Sequence, residues 1–134
     1  MDTLSITGEV FRACEFGLLD LKRMAGQVDD VSAIIPGREG GAIEFAALIQ
    51  MAGVKPGATH AALASADGFR AAVPLVNVQK ALVVYRLGNA PLPADKGGPF
   101  RFLIPNPAEC HSGGADKCAN IKGLSSIVLT RDPG

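Results

Sequence analysis

Glycine and proline interrupt this chain from end to end: sixteen Gly and nine Pro are spread along 134 residues instead of gathering in one linker. Gly opens positive-φ conformations and Pro removes a backbone donor, so each tends to end a helix or a strand. The chain is therefore expected to fold as many short elements. It has no internal repeat, and its length is that of one domain able to bury a core without staples, so residues 1–134 are read as a single domain.

Between the interruptions, hydrophobic spacing assigns element types. In "AIEFAALIQMAG", Phe45, Leu48, Ile49 and Ala52 recur at i, i+3, i+4 and i+7, the stripe of an amphipathic helix, with Gly53 placed to close it in a left-handed cap. Leu18, Leu21 and Met24 fit a shorter helical turn after a strand-like "LSITGEVF". In "FRAAVPL", Phe69, Ala71, Val73 and Leu75 alternate with the period of a half-buried strand, and "ADG" between it and "HAALAS" predicts a hairpin. "ALVVYRL", "FRFLIP" and "SSIVLT" are further β-rich runs, and a short strand is expected around Val31 to Ile35. No helical stretch lies between the later strands to carry parallel crossovers, so the expected class is α+β, a β-rich mixed sheet with a few short helices.

Composition narrows the function classes. Thirteen acids balance thirteen bases, which removes the global electrostatic footprint of a nucleic-acid or anionic-membrane binder. No apolar run reaches a membrane span, and "MDTLSITGEV" lacks the basic and apolar regions of a signal peptide. Three cysteines, an odd number, favour reduced thiols and a cytoplasmic setting over a disulfide framework.

Two of those cysteines lie in "CHSGGADKCANIKGL", from Cys110 to Leu124. The Cys110-His111 to Cys118 spacing is not that of a zinc finger, and a four-ligand site would need His60 from a distant part of the chain. A Cys110–Cys118 disulfide would close a short Gly-rich loop, against a reducing compartment. A redox pair lacks the C-x-x-C geometry that lowers a thiol pKa. Cys14 reads as a small buried hydrophobe.

The order of turn signals carries more information than any one of them. "LIQMAGVKPGATHAALASADGF", "VPL", "APLPADKGGPFRFLIP" and "NIKGLSSIVL" together resemble the molybdopterin-binding domain of the sulfite oxidase family, from about Thr3 to Thr130. In that family an A-G-V helix end, an S-x-D-G-aromatic strand end, a P-L-P phrase, a G-G-P-hydrophobic-R element, a strand ending in proline and a V-K-aromatic triplet follow one another. Here these are Ala52 to Val54, Ser65 to Phe69, Pro91 to Pro93, Gly97 to Arg101, Pro105, and Asn120 to Gly123, with Gly123 in the aromatic position. The resemblance implies a molybdopterin (molybdenum) cofactor and two-electron oxygen-atom transfer.

A pterin cofactor ending in a phosphate calls for fixed positive charge and close backbone approach. Arg101 and Lys122 are the candidate cations; Asn120, Gly98 and Asp67 are the other candidate cofactor contacts, with Gly97, Gly113 and Gly114 allowing backbone to come close. Asp67 also reads as a turn residue bonding its own backbone, and Tyr85 as a core tyrosine or a ligand neighbour. No catalytic residue is assigned.

The position of the metal ligand departs from the pattern too. The family's molybdenum is held by a cysteine thiolate, a soft donor suited to that metal. In "VDDVSAII", Asp30 stands where that cysteine would be. This leaves two readings: a small oxidoreductase domain, or a non-catalytic module that keeps the fold to bind a small anionic ligand, a protein partner or a second copy of itself.

Overall fold

The computed structural model describes residues 3–35, 40–75, 78–88, 90–104 and 120–131. The strands and α-helices of the described residues are, in chain order, β1 (Leu4–Gly8), β2 (Cys14–Phe16), α1 (Leu18–Lys22), β3 (Gln27–Val28), β4 (Gly41–Glu44), α2 (Phe45–Ala52), β5 (His60–Ser65), β6 (Arg70–Pro74), β7 (Leu82–Leu87), β8 (Ala90–Pro91), β9 (Arg101–Leu103), β10 (Asn120–Ile121) and β11 (Leu124–Thr130). They build two sheets. One has five strands in the order β2-β1-β11-β5-β6; the other runs β10-β9-β7-β4-β3, with β8 on β7. Only β1 and β11 pair in parallel; every other named strand pair is antiparallel.

Local chemistry explains the short elements. α1 opens with the Gly17 N–H donating to the Asp20 carboxylate at 2.8 Å, which satisfies an N-terminal amide left over by the helix. β4 runs straight into α2, whose Phe45, Leu48 and Ala52 are buried while Ile49 is half-buried. Gly53 ends α2 at φ 76° and ψ 101°, donating to the Ile49 carbonyl at 2.9 Å. The strand expected around Val31 to Ile35 is instead a 3-10 turn over Val31–Ala33. Asp30 accepts from the Ser32 N–H at 3.0 Å, and this side-chain bond closes a turn where an extended backbone would have left the amide unpaired.

The core lies between the sheets and beneath α2. Leu4, Ile6, Ile127 and Leu129 from the five-stranded sheet pack in one cluster with Ile43, Val83, Tyr85 and Phe102 from the other and with Phe45 and Leu48 from α2. Phe45 and Phe102 meet edge to face, 5.3 Å apart at 82°. The far face of the second sheet forms a smaller core, in which Val31 and Leu92 cover Ala42, Leu82, Val84 and Leu103. No helix among the described residues is long and apolar enough to cross a membrane.

Candidate functional site

The chain passes from one sheet to the other at Lys122–Gly123. β10 ends at Ile121 on the edge of the second sheet, and β11 begins at Leu124 in the middle of the first. Two residues make this crossing, and Gly123 allows it by taking φ 64°. The crossing is tied on both sides by backbone hydrogen bonds. The Gly123 N–H donates to the Gly97 carbonyl at 2.8 Å, and the Gly123 carbonyl accepts from the Ala66 N–H at 2.9 Å. Leu124 N–H adds a bond to the Phe100 carbonyl, also at 2.8 Å. The "SADG" turn, the "GGPFR" segment and the "NIKG" turn, far apart in sequence, thus share one corner of the molecule.

Gly97 is the centre of that corner. It is buried, at φ 92°, and a Cβ added to it would lie 2.8 Å from Arg101 Cδ and 3.1 Å from Lys122 Cγ. The stems of two cations therefore lie against one glycine. Arg101 Nη1 donates to the Lys96 carbonyl at 3.1 Å, which sets the direction of its guanidinium. Lys122 is exposed and makes no hydrogen bond or ion pair among the described residues. Two cationic side chains whose stems pack on one glycine place positive charge at this corner, which suits a phosphate or similar group.

The remaining candidates sit around it in different ways. Asn120 begins β10 and pairs with Leu103 of β9. Gly98 is packed against the Leu92 and Pro93 carbonyls, with no room for a side chain. Asp67 lies on the β5–β6 turn, where the Ser65 hydroxyl and the Phe69 N–H (3.1 Å) donate to its carboxylate. The Ser65 bond first, and the Phe69 bond second, hold the Asp67 carboxyl below the usual carboxylate range. Its backbone turn joins the corner while its carboxylate serves the turn itself.

Residues 41–132 match the family model of the oxidoreductase molybdopterin-binding domain. The chain belongs to this family, that of sulfite oxidase. Among solved structures, the sulfane dehydrogenase SoxCD from Paracoccus pantotrophus superposes with a TM-score of 0.68 at 16% identity, a likeness of fold. The match covers 98% of this chain and 38% of that one, so this molybdopterin-binding-family domain spans well under half the length of its structural neighbour. No curated protein matches it in sequence.

Asp30 is engaged locally in this family member. Its carboxylate caps the 3-10 turn, accepting from the Ser32 N–H at 3.0 Å and the Ser32 hydroxyl at 2.5 Å. Cys14 lies on β2 opposite Ile6 and donates to the Arg12 carbonyl at 3.4 Å. No group of three His, Cys, Asp or Glu side chains that could hold a metal ion occurs among the described residues. Cys110, His111 and Cys118, with Gly113 and Gly114, lie outside them, and so do the zinc-site, disulfide and redox readings of that loop.

The structure also assembles a network that the sequence does not announce. Tyr85 is 1% exposed and its hydroxyl donates to Gln27 Oε1, while Gln27 Nε2 donates to the Leu21 and Met24 carbonyls. Arg86, its side chain 15% exposed, pairs with Asp29 at 3.0 Å and donates to the Gly88 carbonyl at 3.2 Å. Gly41 makes room for it: a Cβ there would fall 2.2 Å from the guanidinium carbon. Tyr85 borders a cavity of about 480 Å³ lined by Leu18, Leu19, Pro91, Pro99 and Phe100. Of the two sequence readings of Tyr85, the core residue with its hydroxyl bonded is what is found. Gln27 and Asp29 sit in a polar, Gly-containing stretch that no local periodicity links to Tyr85 or Arg86, so no sequence signal announces the network.

Proposed function

We propose that this domain binds a molybdopterin-type cofactor through its anionic end, held by Arg101 and Lys122 at the Gly97 corner. Gly98, the Asn120 backbone and the Asp67 turn frame the site. The observation that carries this reading is the convergence of the Arg101 and Lys122 stems on one buried glycine, at 2.8 and 3.1 Å from its missing Cβ. Arg supplies a fixed planar fork for phosphate oxygens, and Lys a mobile point charge. Family membership supports the choice of a pterin over other anions.

The cationic corner fits the phosphate end of such a cofactor. The described residues do not supply the metal end: Asp30 is committed to its cap, and Cys14 is bonded within its own strand region. We therefore assign no molybdenum ligand and no catalytic residue, and read the chain as a cofactor-binding domain of an oxidoreductase family with no thiolate metal ligand among the described residues. The engaged Asp30 favours the second reading, a non-catalytic module that keeps the fold. The odd cysteine count fits a reducing, cytoplasmic setting.

Production in a host that makes the cofactor, followed by elemental analysis and fluorescence of the oxidised pterin extract, separates these. Pterin with about one molybdenum per chain supports a metal-loaded oxidoreductase domain. Pterin without molybdenum supports the non-catalytic binding domain. Folded protein carrying neither overturns the cofactor reading.

A further inference from the structure

The two sheets are finished differently. The six-stranded sheet has both faces covered, one by the main core and one by the small cluster around Val31 and Leu92. The five-stranded sheet buries one face, while its other face presents Thr7, Ala62, Ala64, Ala72, Ser126 and Val128 in partly or fully exposed positions. These side chains are short, and the face carries an open hollow of about 220 Å³ over β5, β6 and β11. A flat, small-residue sheet face of this kind packs well against another sheet.

Its register says what that other sheet is. Glu15 pairs with Ser5, Ser5 with Ser126, Ser126 with Ala64 and Ala64 with Arg70. Directly opposed residues share a face, so one straight row crosses all five strands with an acid at one edge, a base at the other and small residues between. Neither Glu15 nor Arg70 has a side-chain hydrogen bond or ion pair among the described residues. A two-fold axis parallel to the strands turns the row over and reverses it. Glu15 of one copy then faces Arg70 of the other, and the pair occurs twice.

We propose that this face docks on the same face of a second copy of the chain, with two reciprocal Glu15–Arg70 pairs fixing the register. Four interstrand spacings of about 4.8 Å and a strand length of about 20 Å give roughly 400 Å² of flat face per copy. A standard interface uses about 800 Å² per partner, so the dimer is weak, with a dissociation constant above about 10 μM. Charge pairs at its rim set orientation more than affinity.

Sedimentation equilibrium up to about 1 mM chain, with circular dichroism confirming the fold, tests this. Wild type is expected to dimerise reversibly, Glu15→Arg and Arg70→Glu each to weaken the dimer about tenfold, and the double reversal to restore it. Ala62→Glu, in the middle of the face, is expected to abolish it. A wild type that stays monomeric overturns the proposal, as does a dimer indifferent to the single reversals or to Ala62→Glu, or one that the double reversal fails to restore.

Discussion

Replacing Gly98 with alanine would push a methyl group into backbone. The added Cβ would lie 1.8 Å from the Leu92 carbonyl oxygen, 2.5 Å from its carbon and 2.9 Å from the Pro93 oxygen, where ordinary contact begins at 3.4 Å. No rotamer relieves this, because every atom met is main chain. The Leu92–Pro93 segment must move, and with it the Pro93 carbonyl that accepts from both Lys96 and Gly98 N–H groups at 2.9 Å. Losing two such bonds costs about 1 kcal/mol each, and overpacking adds about 1–3 kcal/mol. The total of about 3–5 kcal/mol lowers the melting temperature by roughly 10–20 °C in a chain of this size. Gly68→Ala is the matched control: a Cβ there meets nothing within 4 Å, so only its backbone at φ +97° is strained, at about 1–2 kcal/mol. Urea denaturation of both variants measures the difference. A Gly98→Ala protein no less stable than Gly68→Ala would refute the packing account of this corner.

Two further outcomes follow from named contacts. Tyr85→Phe removes the hydroxyl that donates to Gln27 and leaves that amide oxygen without its partner, so stability should fall by about 1–2 kcal/mol in denaturant unfolding with the fold unchanged. Asp67→Asn should lower the melting temperature near neutral pH. Because the folded pKa lies below the ordinary 3.8, the stabilisation is present above that value and is lost as pH falls through the folded one. The gap between wild type and variant should therefore close in melts taken progressively below pH 3.8, and a gap that widens there would contradict the assignment.

What could be foreseen from the residues was what short-range chemistry determines. The β5–β6 hairpin followed from alternation at Ala71 and Val73 and from the "ADG" turn, and α2 from the spacing of Phe45, Leu48 and Ala52. β4 went unseen because "GAIE" joins α2 with no turn residue between them, so its apolar pattern merges with the helix. The 3-10 turn at Val31 replaced an expected strand because one side-chain bond from Asp30 outweighed a weak β preference. The parallel pairing of β1 with β11 joins the two ends of the chain and has no local signature at all. At the site, Arg101 and Lys122 were singled out by the order of family phrases, whereas their meeting at Gly97 depends on the crossing between sheets, which only the assembled fold reveals.

The central claim is that these two cations hold the anionic end of a pterin cofactor. Its most direct measurement is the pterin content per chain of the Arg101→Ala/Lys122→Ala variant beside wild type, both made in a cofactor-synthesising host and both shown to be folded. Two charge-assisted contacts worth about 1.5 kcal/mol each predict a loss of at least about tenfold in retained pterin. Equal pterin in the variant and the wild type would contradict the account.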